Sequence, residues 1–164
     1  MNQSQRLNFI NAKTTQDVDE LWQNCFEGKS NIGHINRHAP HKITQFGVLK
    51  GSLQQKNPQN SWVIRRRAEN DIIGFIIYGD FFPNRPDSVG FSIGLNYSRN
   101  GYATEALKAL IEHLRNKGFQ EVFGYCYSSN IGSIKTMEKC GFADLGPTGN
   151  TYGENSELKF RLEL

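Results

Sequence analysis

The chain has 164 residues, 37% of them hydrophobic, enough for one domain with a real core and short for two. Its 19 basic and 16 acidic residues leave a formal charge of +3, far from the concentrated charge of a protein built to bind nucleic acid but compatible with a polyphosphate ligand. The longest apolar run, Ile72 to Gly79, is too short to cross a bilayer, no secretory hydrophobic stretch opens the chain, and the three cysteines, Cys25, Cys126 and Cys140, include no close pair. A single domain over residues 1–164, cytoplasmic, without a disulfide framework and without a membrane partner, is the expectation.

In chain order, Leu7 to Ile10 predicts a short strand. Thr14 or Thr15 then caps a helix carrying Val18, Leu21, Trp22, Cys25 and Phe26, with Gly28 as its stop. Between Lys29 and Asn60 a weaker helical pattern, Ile43, Phe46, Val48, Leu49 and Leu53, lies within irregular polar loops. Ser61 to Arg67, Asp71 to Asp80 and Val89 to Leu95 predict three strands separated by turn signals at Ala68-Glu69-Asn70 and Pro83-Asn84-Arg85-Pro86, hence an antiparallel meander. Ala103, Ala106, Leu107, Leu110, Ile111 and Leu114 fall on one face of a long helix that Gly118 ends. Glu121 to Tyr127 follows as a strand, Asn130 to Cys140 as a helix with Ile131, Ile134 and Met137 inward, and Leu158 to Leu164 as a final strand. Strand, helix and strand in succession imply a parallel crossover, and the fold class is α/β (α+β): one mixed, mostly antiparallel sheet flanked by helices.

The most informative segment is Tyr97 to Glu105, which joins a strand to a helix through one glycine. Backbone N–H groups at a helix start have no intrahelical partners and the helix dipole adds positive charge, so Gly101 and its neighbours form a cradle suited to a phosphate.

Two motifs carry a family resemblance. The turn Arg99-Asn100-Gly101-Tyr102-Ala103-Thr104-Glu105-Ala106 and the segment Asn130-Ile131-Gly132-Ser133 through Lys139-Cys140-Gly141-Phe142, in this order and separated by a strand, resemble the GNAT acetyltransferases, most closely the ribosomal-protein alanine N-acetyltransferase branch. The resemblance is dense from Gly90 to Phe142 and otherwise rests on element order. It implies acetyl-CoA as co-substrate, with the backbone of Arg99, Asn100, Gly101, Tyr102, Ala103 and Thr104 on the pyrophosphate and that of Ile93, Gly94 and Leu95 along the pantetheine arm. Asn130 would bond the same arm and Ser133 would sit near the coenzyme sulfur. The family pattern Gln/Arg-x-x-Gly-x-Gly/Ala is met at Gly101 and Ala103, whereas Ser98 takes its first position, with Arg99 as the available substitute. Apart from any resemblance, Asn130 and Ser133 also suit a helix start.

The implied reaction is attack of a neutral primary amine, a protein N-terminus or a small molecule, on the thioester, aided by a backbone donor at Gly94 or Leu95. Deprotonating a lysine-like amine of pKa ~10.4 at pH 7 costs about 4.6 kcal/mol, against about 1.4 for an α-amine near ~8, so an α-amine needs little help. The tyrosine acid that many GNAT enzymes place seven residues after the asparagine is Met137 here, which donates no proton. Candidate bases are Tyr125 and Tyr127, on one face of their strand, and Glu154; relatives often have a glutamate near the position of Ser88. A coenzyme A-binding module without transfer is the alternative, and a homodimer is left open. Nucleic acid is not an expected partner: Arg65-Arg66-Arg67 predicts a solvated edge strand. His34, His38 and His41 have zinc-like spacing without accompanying acids or cysteines, so no metal is expected, and Gly28-Lys29-Ser30 lacks the first glycine of a nucleotide-binding loop.

Overall fold

A computed structural model describes residues 1, 3–12, 14–27, 60–79 and 85–164. The helix expected around Ile43 to Leu53, the three histidines and Gly28-Lys29-Ser30 lie outside the described residues. A seven-stranded sheet organises the rest, in the order β1-β2-β3-β4-β5-β7-β6. Its strands are β1 (Leu7–Asn11), β2 (Ser61–Arg66), β3 (Ile72–Tyr78), β4 (Ser88–Ile93), β5 (Glu121–Tyr127), β6 (Ala143–Tyr152) and β7 (Asn155–Glu163). Only β4 and β5 pair in parallel, as the crossover between them requires.

Helix α1 (Thr15–Cys25) starts at Thr14, whose hydroxyl accepts from the Asp17 N–H at 3.3 Å. Val18, Leu21, Cys25 and Phe26 bury against Val63, Phe75 and Ile77, so α1 covers one face of β2 and β3. The opposite face carries α2 (Tyr102–Asn116) and α3 (Ile131–Lys139), whose Leu107, Leu110, Leu114 and Met137 join Trp62, Ile64, Ile76, Val122 and Phe160 in the larger core cluster. Gly118, at φ +82°, turns the chain out of α2.

Four expectations change. First, β4 stops at Ile93 rather than Leu95: the Gly94 N–H still donates to the Ile73 carbonyl at 2.9 Å, but Leu95–Tyr97 then winds into a 3₁₀ turn. Second, Ile131 is 53% exposed instead of inward. It opens α3, six residues before the buried Met137, a spacing that puts the two about 120° apart around the helix. Third, the last strand begins at Asn155 rather than Leu158 and pairs with β6, a strand that the sequence pattern did not predict. That segment is an outer strand, exposed along most of its length and interrupted by register shifts on either side of Pro147, so it shows no alternation. Fourth, Arg65 and Arg66 end an inner strand, not an edge, and Arg67 follows it. Arg65 pairs with Glu20 at 2.7 Å, Arg66 with Asp71 at 2.7 Å, and Arg67 donates to the Ser4 and Gln5 carbonyls.

Candidate active site

Strands β4 and β5 pair only at Ser88–Phe123 and Val89–Gly124, supported by the Phe123 N–H to Asp87 carbonyl bond at 2.9 Å. Beyond that point they separate, leaving the C-terminal half of β4 and Tyr125 to Tyr127 as the two lips of a gap. Ile93 faces Gly74 across the β3–β4 ladder, and the next residue, Gly94, makes the bond to Ile73. Since strand residues alternate in the side to which their N–H and C=O point, the backbone groups of Ile93 turn away from β3 and into the gap. Gly94 differs: its N–H is occupied, and a Cβ there would stand 2.9 Å from the Cys25 Sγ. Its glycine is required by the packing of α1, and its N–H is not free for an oxyanion. Leu95 opens the 3₁₀ turn, so its N–H lacks a partner within that turn.

At the mouth of the gap the chain reverses through Arg99 at φ +65° and Gly101 at φ +79°. The loop spends its own carbonyls internally. Asn100 Nδ2 donates to the Tyr97 and Ser98 carbonyls at 3.1 Å each, Ser98 Oγ to the Leu95 carbonyl at 2.7 Å, and Arg6 Nη1 to the Asn100 carbonyl at 3.2 Å. The first bond of α2 runs from the Glu105 N–H to the Gly101 carbonyl, so the N–H groups of Tyr102, Ala103 and Thr104 have no acceptor inside the helix. A Cβ on Gly101 would meet only Arg6 Nη2, at 3.5 Å; the backbone angle, rather than space, demands glycine. Arg6 braces the loop from β1. It pairs with Glu105 at 2.6 Å and stacks over the Tyr102 ring at 4.6 Å. Burial pushes the Glu105 carboxyl up, but the bonds from Arg6 and Ser4 outweigh it and hold it below the usual carboxylate range.

On the far lip, Asn130 caps α3, its Oδ1 accepting the Ser133 N–H at 3.2 Å. The Ser133 hydroxyl lies beside the Cys126 thiol, whose pKa burial raises to about 11 despite that polar neighbour. Met137, 1% exposed, packs its sulfur where a Cβ on Gly124 would approach to 2.3 Å. The position that holds a tyrosine acid in many relatives is here a core contact between α3 and β5.

The outer face of β5 holds Tyr125 and Tyr127, both half-buried, while Val122 and Cys126 point into the core. Arg85 stacks over the Tyr125 ring at 4.1 Å, and Tyr127 meets Tyr152 of β6 at 5.8 Å between centroids. Glu154 lies exposed in the hairpin between β6 and β7. The carboxylate that the fold brings to the tyrosines is Glu157, directly opposite Tyr127 in the β5–β7 register and 5% exposed. Sequence reasoning missed it. Glu157 shares the polar phase of its strand with Lys159 and Arg161, opposite the apolar Leu158, Phe160 and Leu162, so no local signal sets it apart. Ser88 is buried and donates to the Arg85 carbonyl at 2.8 Å, so no carboxylate occupies that place. Among the described residues no His, Cys, Asp and Glu cluster could hold a metal.

A split between parallel strands beside an N–H-rich helix start is an arrangement shared by a known family. A family model described as an acetyltransferase (GNAT) domain matches residues 6–143. The chain belongs to the GNAT acetyltransferases. This GNAT domain is 24% identical over 140 residues to the uncharacterized N-acetyltransferase YnaD of Bacillus subtilis, covering 80% of the chain and 82% of that protein. Among solved structures it is similar in fold to a GNAT-family acetyltransferase from Bacillus anthracis, with TM-score 0.81, 16% identity and coverage of 99% and 97% of the two chains. It also resembles RimL, a ribosomal L7/L12 α-N-protein acetyltransferase solved with coenzyme A, at TM-score 0.76, 14% identity and 98% and 96% coverage. The protein is therefore an acetyl-CoA-dependent N-acetyltransferase, and the site described above is its candidate active site.

Proposed function

We propose that the enzyme transfers acetyl from acetyl-CoA to a primary amine, an α-amine of a protein N-terminus or a small-molecule amine, by direct attack within a ternary complex. The observation that carries this reading is the β4–β5 gap ending at the N-terminus of α2. The thioester supplies an activated acetyl group; the chain supplies its alignment. The N–H groups of Arg99, Asn100, Gly101, Tyr102, Ala103 and Thr104 would hold the pyrophosphate, with the Arg99 guanidinium as a charge-assisted partner. Ile93 would pair with the pantetheine arm as a further strand would, next to Gly94 and Leu95, and the side-chain amide of Asn130 would donate to it from the other lip. Leu95, rather than Gly94, supplies the oxyanion donor in this reading, because only its N–H is not already committed in the sheet. The Ser133 hydroxyl would donate to the departing thiolate.

An α-amine acceptor suits a site whose tyrosine-acid position is filled by Met137 and whose Ser88 position has no carboxylate, since such an amine is partly neutral at pH 7. RimL acts on a protein α-amine, and another fold neighbour, the microcin C7 self-immunity acetyltransferase MccE, was solved with acetyl-CoA and AMP; both acceptor types belong in the test. The protein would be incubated with acetyl-CoA and a panel of N-terminal peptides and small amines while free thiol is followed. Acceptor-dependent thiol release is the expected result. Coenzyme binding by calorimetry with no release across the panel would favour a binding module instead.

A further inference from the structure

The three hydrogen bonds that hold Glu157 all end on one oxygen. Oε2 accepts from Arg85 Nη2 at 2.8 Å, Thr148 Oγ1 at 2.9 Å and Asn150 Nδ2 at 3.0 Å. Among the described residues no hydrogen bond ends on Oε1, and the side chain is only 7% exposed. A carboxylate fixed through one oxygen has a single orientation, so its second oxygen is an acceptor held in place before any ligand arrives. Burial pushes this carboxyl up, yet the bonds from Arg85, Asn150 and Thr148 hold it lower than usual, so it remains charged at neutral pH.

The surroundings define what Oε1 would accept from. Tyr127 stands opposite in the register and packs against Tyr152, and Tyr125 lies on the same face beneath the Arg85 guanidinium. Aromatic faces beside a fixed carboxylate attract an ammonium group through both the ring quadrupole and the charge. An anion would face the carboxylate, and the guanidinium that could receive it is already paired and stacked. Tyr127 is also the last residue of β5, and β5 is one lip of the gap. The face bearing Glu157 is opposite to that bearing α2 and α3, so an acceptor could enter here without displacing the coenzyme.

We infer that Glu157, walled by Tyr127 and Tyr152 and held by Arg85, Thr148 and Asn150, is the acceptor-recognition carboxylate, and that the acceptor presents an amino group flanked by apolar or aromatic surface. This rests on the amine-acetylation reading, and its test separates the two. Calorimetry on the coenzyme-loaded protein would compare 2-phenylethylammonium with the neutral isostere 2-phenylethanol. The wild type should prefer the ammonium by about tenfold or more, which is about 1.4 kcal/mol. Glu157→Gln keeps an oxygen for the three donors and turns a donor NH₂ toward the open side, so the preference should vanish. For whichever amine of the panel turns over, the variant's KM for the amine should rise about tenfold while its KM for acetyl-CoA stays within about twofold. Failure of the ammonium probe to bind, equal binding of the two by the wild type, or retained preference in the variant would overturn the assignment. Should the variant not fold, the wild-type probe comparison alone decides. Absence of turnover with a clear ammonium preference would sink the transfer reading and leave the carboxylate's role intact.

Discussion

The proposed coenzyme side and the proposed acceptor side of the gap are built by different means. The first is a continuous stretch, β4 through the start of α2, whose working groups are backbone N–H and C=O, and its side chains mostly brace the loop. The second is assembled from Arg85, Tyr125 and Tyr127, Thr148 and Asn150, and Glu157, which stand on four separated segments and meet only because β6 and β7 fold back beside β5. A backbone site depends on conformation and tolerates varied side chains. A side-chain site depends on which residues the topology brings together, and in the proposed assignment that is where substrate choice would be set.

That contrast can be broken at the coenzyme loop first. Gly101→Val forces a β-branched residue to φ +79°, a strain of about 2 kcal/mol or more, and should weaken coenzyme A binding about 30-fold in calorimetry while leaving the ammonium preference at Glu157 untouched. Loss of both together would mean that the two halves are not independent. A smaller effect is expected at Ser133→Ala, which should lower kcat about tenfold with little change in melting temperature, because the hydroxyl's neighbour among the described residues is the weakly bonding Cys126 thiol. Full activity would remove Ser133 from the chemistry. Asn150→Ala withdraws one of three donors from Glu157 Oε2, and should raise KM for the amine about threefold without altering coenzyme affinity. An equal loss in coenzyme affinity would contradict the division.

The smallest expected effect is shared by both halves. Glu105 and Glu157 have carboxyl pKa values held below the ordinary one in the folded state, so each contributes stability that is fully present above the unfolded value near ~4.3 and is lost as pH falls through the lowered folded value. Urea unfolding between pH 6 and about pH 3 should show this decline, and Glu157→Gln should make it shallower. An unchanged slope in the variant would show that Glu157 is not part of it.

Much of the coenzyme half was legible because it is local. The period of Ala106, Leu107, Leu110, Ile111 and Leu114, the single glycine before it and the cap at Asn130 all act within a few residues, and each appears where the pattern placed it. Of the two expected oxyanion donors, the Gly94 N–H is taken by the distant Ile73 carbonyl, and its lack of a side chain answers to the equally distant Cys25. The arginine run was misjudged because Glu20, Asp71 and the Ser4 and Gln5 carbonyls lie elsewhere in the chain. Strand β6 was missed because an outer strand without a buried face has no reason to alternate, and Glu157 was overlooked in favour of Glu154, three residues earlier and in the exposed turn.

The amino-acid sequence alone determined the mixed fold, the order of its core elements and the helix start suited to a pyrophosphate, since periodicity, capping and a glycine at positive φ are short-range properties. Tertiary structure decided where β4 and β5 part, that Gly94 is a packing glycine, and that the Glu157 carboxylate has one oxygen fixed by three donors beside three tyrosines. Those outcomes depend on contacts between segments tens of residues apart, set by strand register and by the burial of two faces of one sheet.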